Sequence, residues 1–302
     1  LNFTRVTASC KDIKAMAKQT IEGRWLKLAL PMILVTLLMN LPVMLFSMDD
    51  SGSFLSYLTY GLGIVLLGLV FFASGAYSLS IFRMEERPAA RLMTPVQKKQ
   101  FFLRAVGLFS LIALLVLIGL VLFVVPGIMA LYKYSQAFFI LFDHPEYTPT
   151  QCLMASAAMM RGNKGQRFKL DLSFLAWYLL PLVPVVIVAA PMAQEGFRAS
   201  MAFVQSLSAE ELQPIMTDES AYMTFMEQLG RVESEALQAY LNAHPMMNTL
   251  QIVADILELL LTSVAAVFTG CASACFYELA SGKLSLKMEN ELHSAAEYNI
   301  EV

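Results

Sequence analysis

Charge is scarce in this sequence. Asp, Glu, Lys and Arg fill 15% of 302 positions, where an ordinary globular domain carries roughly a quarter, while hydrophobic residues reach 57% and mean hydropathy is +0.60. That apolar excess has to face lipid. Histidine is confined to His144, His244 and His293, too scattered for a metal site, and no P-loop, GxGxxG, HExxH or CxxC motif occurs. An enzyme is therefore the least favoured class, no cofactor is implied, and nothing suggests a nucleic-acid partner. Cysteine is limited to Cys10, Cys152, Cys271 and Cys275, none in an outer loop on the topology below, which argues against a disulfide framework.

What is present is a series of apolar runs, at about 26–48, 55–82, 102–125, 127–142, 171–191 and 248–280. They predict an all-α, polytopic transmembrane bundle of about six spans. The polar, helix-prone first 24 residues end without a small-residue cleavage site, so the run from Trp25 reads as a retained span and not a signal peptide. The fourth run has about 16 residues, short for a hydrocarbon core of roughly 30 Å, and Pro126-Gly127 separates it from the third by a tight turn. Spans three and four thus form a hairpin, either crossing fully or re-entrant.

Basic residues set the orientation, because they are retained on the cytoplasmic side. Arg5, Lys11, Lys14, Lys18, Arg24 and Lys27 precede or open the first run. Arg83, Arg87, Arg91, Lys98, Lys99 and Arg104 follow the second, Arg161, Lys164, Arg167 and Lys169 the fourth, and Lys283 and Lys287 the last. In all, 18 of 21 lie on one face and only Arg198 and Arg231 on the other. Asp49 and Asp50 mark the first outer loop. Both termini are expected in the cytoplasm.

The expected organisation is a cytoplasmic amphipathic N-terminal helix (1–25), helices one to five (26–191) with a cytoplasmic helix near 149–162, an extracytoplasmic insertion (192–247), helix six (248–280) and a cytoplasmic tail (281–302). In the N-terminal helix, Ile13, Ala17 and Ile21 oppose the lysines, a pattern suited to anionic headgroups. The insertion carries eight carboxylates between Glu195 and Glu235. Ser208 and Glu211 have capping-box spacing, and Tyr222, Phe225, Met226, Leu229, Val232 and Tyr240 recur at helical intervals, so it reads as a helical cap or a partner-binding module. Thr148-Pro149 starts the cytoplasmic helix, which ends near Gly162.

Small residues mark helix contacts. Gly61, Gly68 and Gly75 are seven apart on one face of span two; Ala266, Gly270 and Ala274 are four apart on span six, beside Cys271 and Cys275, for which packing is preferred over soft-metal binding. Ionisable residues inside apolar runs are the sharpest functional lead, each costing roughly 2.5–3.5 kcal/mol at mid-membrane. Lys133 is expected to pair with Asp255 or Glu258 in an intramembrane polar pocket with Tyr132, Tyr134, Ser135 and Gln136. The competing expectation has Lys133 snorkelling and both carboxylates at the headgroups.

Pro126-Gly127-Ile128, Tyr134-Ser135, Asp143-His144-Pro145, Met160-Arg161-Gly162-Asn163-Lys164, Phe168, Leu170, Leu172-Ser173-Phe174 and Trp177 form a distinctive series. With them go Lys14, Ala17-Lys18, Gly23, Trp25 and Phe276-Tyr277-Glu278-Leu279. On these residues nearly the whole chain resembles the bacterial membrane proteins grouped as domain of unknown function 975. The resemblance implies a multi-helix plasma-membrane protein with no established activity or site to carry over. The long acidic insertion, and Pro191-Met192 where the family has Pro-Tyr, depart from it. Within the family-like turn, Arg161, Gly162, Asn163, Lys164, Arg167 and Lys169 are candidates to hold a phosphate or lipid headgroup, or to fix the entry to span five, with Asp171 neutralising Arg167 or capping the helix. Two function classes stand: transport or lipid handling of a small-molecule or lipid ligand through the polar pocket, and a scaffold binding envelope proteins through the outer insertion.

Overall fold

The computed structural model describes residues 3–47, 54–97 and 99–284. Asp49, Asp50, Lys98, Lys287 and the tail after 284, used above for sidedness, lie outside the described residues. Those residues are predominantly helical and contain no strand. In chain order come α1 (Cys10–Ile21), α2 (Trp25–Ser47), α3 (Phe54–Phe82), a 3₁₀ turn (Pro88–Met93), α4 (Thr94–Gln97), α5 (Lys99–Leu122), α6 (Val124–Tyr134) and α7 (Ala137–Asp143). They are followed by α8 (Pro149–Met159), α9 (Lys164–Ser173), α10 (Leu175–Leu179), α11 (Leu182–Ser206), α12 (Ala209–Thr217), α13 (Glu219–Ala243) and α14 (Met246–Ala280).

Five stretches are long and apolar enough to cross a membrane: Tyr57–Phe82, Phe101–Leu122, Val124–Asp143, Leu182–Ser206 and Met246–Ala280. A sixth is added if Cys10–Ile21 and Trp25–Leu41, bent by 100°, count as one. Gly23, at φ +74°, makes that bend in a left-handed conformation that suits glycine.

The chain divides into two compact units, Leu1–Trp177 with Thr262–Val302, and Tyr178–Leu261. The first has a continuous core built from Ile13, Ala17 and Ile21 of α1, Phe72, Tyr77, Leu79 and Ile81 of α3, Ala105 and Leu108 of α5, Ile140 and Leu141 of α7, and Cys271, Cys275 and Phe276 of α14. The apolar face of α1 is thus consumed inside the protein, leaving Lys11 and Lys18 exposed, while Lys14 donates to the Ser173 carbonyl. Tyr77 donates its hydroxyl to the Leu28 carbonyl at 2.7 Å, satisfying a buried polar tip between α2 and α3.

Because lipid is as apolar as leucine, helix contacts here depend on close packing more than on removal from water. Gly68 shows this: a methyl on it would lie 3.0 Å from the Val106 Cα of α5. Gly75 sits against Phe138 and Phe139, a methyl on Gly61 would meet none of the described residues within 4 Å, and Gly270 abuts Ser78 of α3. Ala274 is buried and Ala266 packs at the core margin.

The α5–α6 hairpin turns at Phe123, whose backbone is extended (φ −163°, ψ 150°), and not at Pro126-Gly127. Pro126 falls in the first turn of α6, where a missing N–H costs nothing because that donor has no helical partner. Gly127 serves the contact instead, since a methyl on Gly119 would lie 2.9 Å from its Cα.

The run at 171–191 is also not one helix. Its chain breaks at Phe174 and again at Leu180-Pro181, and the long helix α11 then continues through Pro191 to Ser206. In the second unit α13 packs along α11, with Phe203 and Phe225 stacked at 6.1 Å. Ser208 caps α12 in a reciprocal box with Glu211, and Asp218 caps α13.

Candidate functional site

The span Val124–Asp143 is broken in the middle. Ser135 and Gln136 separate α6 from α7, so the helical ladder is interrupted inside an apolar stretch. Ser156 of α8 repairs both freed backbone groups. Its hydroxyl donates to the Lys133 carbonyl at 3.0 Å and accepts from the Gln136 N–H at 3.3 Å. A side chain inserted into the ladder is an ordinary cause of a kink, and in lipid such backbone groups need a partner. The α8 helix can supply it because Cys152, Leu153, Ser156 and Met159 form its buried face.

Polar side chains gather at this break. Gln136 is fully buried and donates to the Ser135 Oγ at 3.0 Å; its Oε1 is left buried without a partner in its unit. The Ser135 hydroxyl itself donates to the Tyr132 carbonyl. Lys133 is half-buried with its ammonium 5.0 Å from the Tyr134 ring centre, and among the described residues of its unit it makes no ion pair. The Tyr132 ring meets Phe168 edge-on at 5.8 Å. Tyr132, Lys133, Tyr134, Ser135 and Gln136 all belong to the first unit. Asp255 and Glu258 belong to the second, where Asp255 is exposed and accepts from the Gln251 side chain at 2.7 Å.

The far end of α7 carries a second polar centre. Arg83, just beyond α3, grips Asp143 with both guanidinium arms at 2.7 and 2.8 Å and reaches Glu278 with its Nε at 2.7 Å. The Tyr277 hydroxyl and the Lys283 ammonium also donate to Asp143, at 2.8 and 2.6 Å. Asp143 is only 6% exposed, so its charge rests on these partners. Burial opposes the charge on Arg83, but hydrogen bonds and attraction from Asp143 and Glu278 outweigh it and raise its pKa. This centre joins α3, α7 and α14.

In the sequence Arg83 and Lys283 read as orientation signals, and Asp143, Tyr277 and Glu278 as members of the family resemblance, Asp143 next to His144 being too little for a metal site. The available signal was an acidic residue at the end of one apolar run and an arginine at the end of another. Their pairing across 60 positions depends on the fold.

The family-like turn splits into inward and outward groups. Gly162 (φ +85°) ends α8 in the left-handed region. Asn163 is buried, its amide nitrogen donating to the Thr4 and Met159 carbonyls at 3.0 and 2.8 Å and its oxygen accepting from the Val6 N–H at 2.9 Å. Thr4 in turn donates to Ala280 and Leu279 carbonyls, so Asn163 holds the N-terminal segment beside the end of α14. Arg167 pairs with Asp171 at 3.1 Å and donates to Ser273 at 2.9 Å. Arg161 and Lys169 are exposed and Lys164 half-exposed, leaving these three of the basic side chains open to solvent or headgroups.

A family model described as a protein of unknown function, DUF975, matches residues 107–277. The chain belongs to this family. The matched segment contains the broken span, the Asn163 turn and both Asp143 and Tyr277, while Arg83, Glu278 and Lys283 lie outside it. No curated protein and no solved structure matches the chain.

Proposed function

We propose that this DUF975 protein handles a small polar molecule or a lipid within the bilayer, by transport or by sheltering it, at the break in Val124–Asp143. One observation carries the reading: among the described residues of its unit, Gln136 presents a buried acceptor without a partner beside Lys133, a cation without an ion pair. Discontinuous spans whose freed polar groups face a cavity are how membrane proteins commonly build binding sites in lipid, and buried polar groups without partners are rare enough to require a reason. In this reading the basic flanks place both termini and the Asp143 centre in the cytoplasm, and the membrane is a bacterial plasma membrane.

The reading requires water to reach Lys133. With Cys10 replaced by serine, Lys133→Cys in membrane vesicles is expected to react with a membrane-impermeant thiol reagent, and Leu114→Cys, a control at an exposed apolar position in the middle of α5, is expected not to. Equal protection of both positions in normally inserted protein overturns the proposal. A second reading, a scaffold that binds envelope proteins, is favoured by the exposed Tyr222, Met223 and Met226 on α13. A sealed Lys133 together with crosslinking from Met223→Cys to a co-purifying protein would replace the first reading with the second.

A further inference from the structure

Arg104 lies in the second turn of α5 and, unlike Arg83, has no hydrogen bond or ion pair among the described residues of its unit; its Nη1 is buried. A guanidinium carries five donors and is always charged, so one buried arm without an acceptor is costly unless an anion arrives. Its direction follows from its neighbour. Gly107, three residues further on α5 and on the same helix face, packs against Pro149, to which a methyl on the glycine would come within 3.5 Å. Arg104 therefore faces the connection between α7 and α8.

That connection holds a second unused nitrogen. His144 stacks on Tyr147 at 4.7 Å and places Nδ1 3.2 Å from Glu146, while its Nε2 is buried without a partner. The charge of Arg104 is felt at both Glu146 and Cys152. Glu146 is held below the usual carboxylate range, chiefly by a hydrogen bond from its own backbone and in smaller part by His144 and Arg104. Burial pushes the Cys152 thiol up to about 12, opposed by Arg104. Glu146 does not neutralise Arg104, because its side chain is 63% exposed and its ion pair among the described residues is with His144.

We infer that Arg104 and His144 form a binding site for a phosphate-bearing anion, the chemistry shared by a phospholipid headgroup and free inorganic phosphate. The planar fork of Arg104 engages two phosphate oxygens, and His144 donates to a third through an Nε2–H. The site is separate from the Gln136 break and does not depend on the function proposed for it. It also differs from the Arg161–Lys169 turn, whose open charges are surface lysines and an arginine.

The test uses the full chain. Native mass spectrometry after extraction from vesicles of phosphatidylcholine and phosphatidic acid in equal parts reads lipid retention, and thermal unfolding with added inorganic phosphate reads the free anion. If the source is a headgroup, wild type retains phosphatidic acid and Arg104→Gln lowers that retention by about tenfold or more, as loss of a charge-assisted pair implies. If the source is free phosphate, phosphate raises the wild-type midpoint and leaves Arg104→Gln unmoved. Either result supports the site. Should Arg104→Gln fail to fold, Arg104→Lys and His144→Leu make the same comparison, and both are expected to weaken binding because each removes part of the donor set. Binding of neither probe by wild type overturns the proposal, as does binding by the folded variants that equals wild type or that is lost only on Arg161→Gln.

Discussion

Asp143 accepts two hydrogen bonds from Arg83 and one each from Tyr277 and Lys283, while Glu278 holds Arg83 from the other side. Removing the charge of the most connected member leaves a partly buried guanidinium with a weaker partner. Asp143→Asn is expected to lower stability by about 3–5 kcal/mol, the usual consequence of breaking a buried pair, and more than Glu278→Gln, which leaves the two-armed contact intact. Thermal unfolding of the detergent-solubilised variants checks the order. Equal midpoints for the two would show that Asp143 has no special place. Little of this was legible from residue types, since an arginine at the end of an apolar run looks the same whether it faces headgroups or grips a carboxylate. Asn163 was singled out in the family-like turn, but its role as an amide clamp on Thr4 and Val6 required the N-terminal segment to return to it.

Local signals carried further at the scale of elements. The Ser208–Glu211 spacing marks a capping box because both partners lie within one turn, and the box is present at α12. Breaks were less visible. The tetrad Tyr134-Ser135-Gln136-Ala137 contains no proline or glycine, so its helical pattern gives no stop signal; the interruption exists because Ser156, twenty residues on, offers an alternative partner for the backbone. Ser156→Ala removes that partner from two buried groups and is expected to cost about 1–3 kcal/mol. Thermal unfolding should show the loss, and Ser156→Thr, which keeps the hydroxyl, should recover part of it. An unchanged midpoint in Ser156→Ala would mean that the break is satisfied some other way.

Over the whole molecule, five or six helices long and apolar enough to span a membrane and a strongly one-sided expected distribution of Lys and Arg make a definite topological prediction. Green fluorescent protein fused after Val302 is expected to fluoresce, and alkaline phosphatase inserted after Gly230 is expected to be active, because the first folds in the cytoplasm and the second only outside it. The opposite pair of results would reverse the proposed orientation. By itself the sequence determined the all-helical membrane class, since hydropathy and helical period are properties of neighbouring residues and lipid admits few ways of satisfying a backbone. The tertiary structure alone decided that α1 spends its apolar face on the core, that Arg83 meets Asp143 and Glu278, and that the buried Nη1 of Arg104 meets no acceptor among the described residues. Each of these joins residues distant in the chain, and the position of a partner, unlike the character of a side chain, is set only when the helices pack.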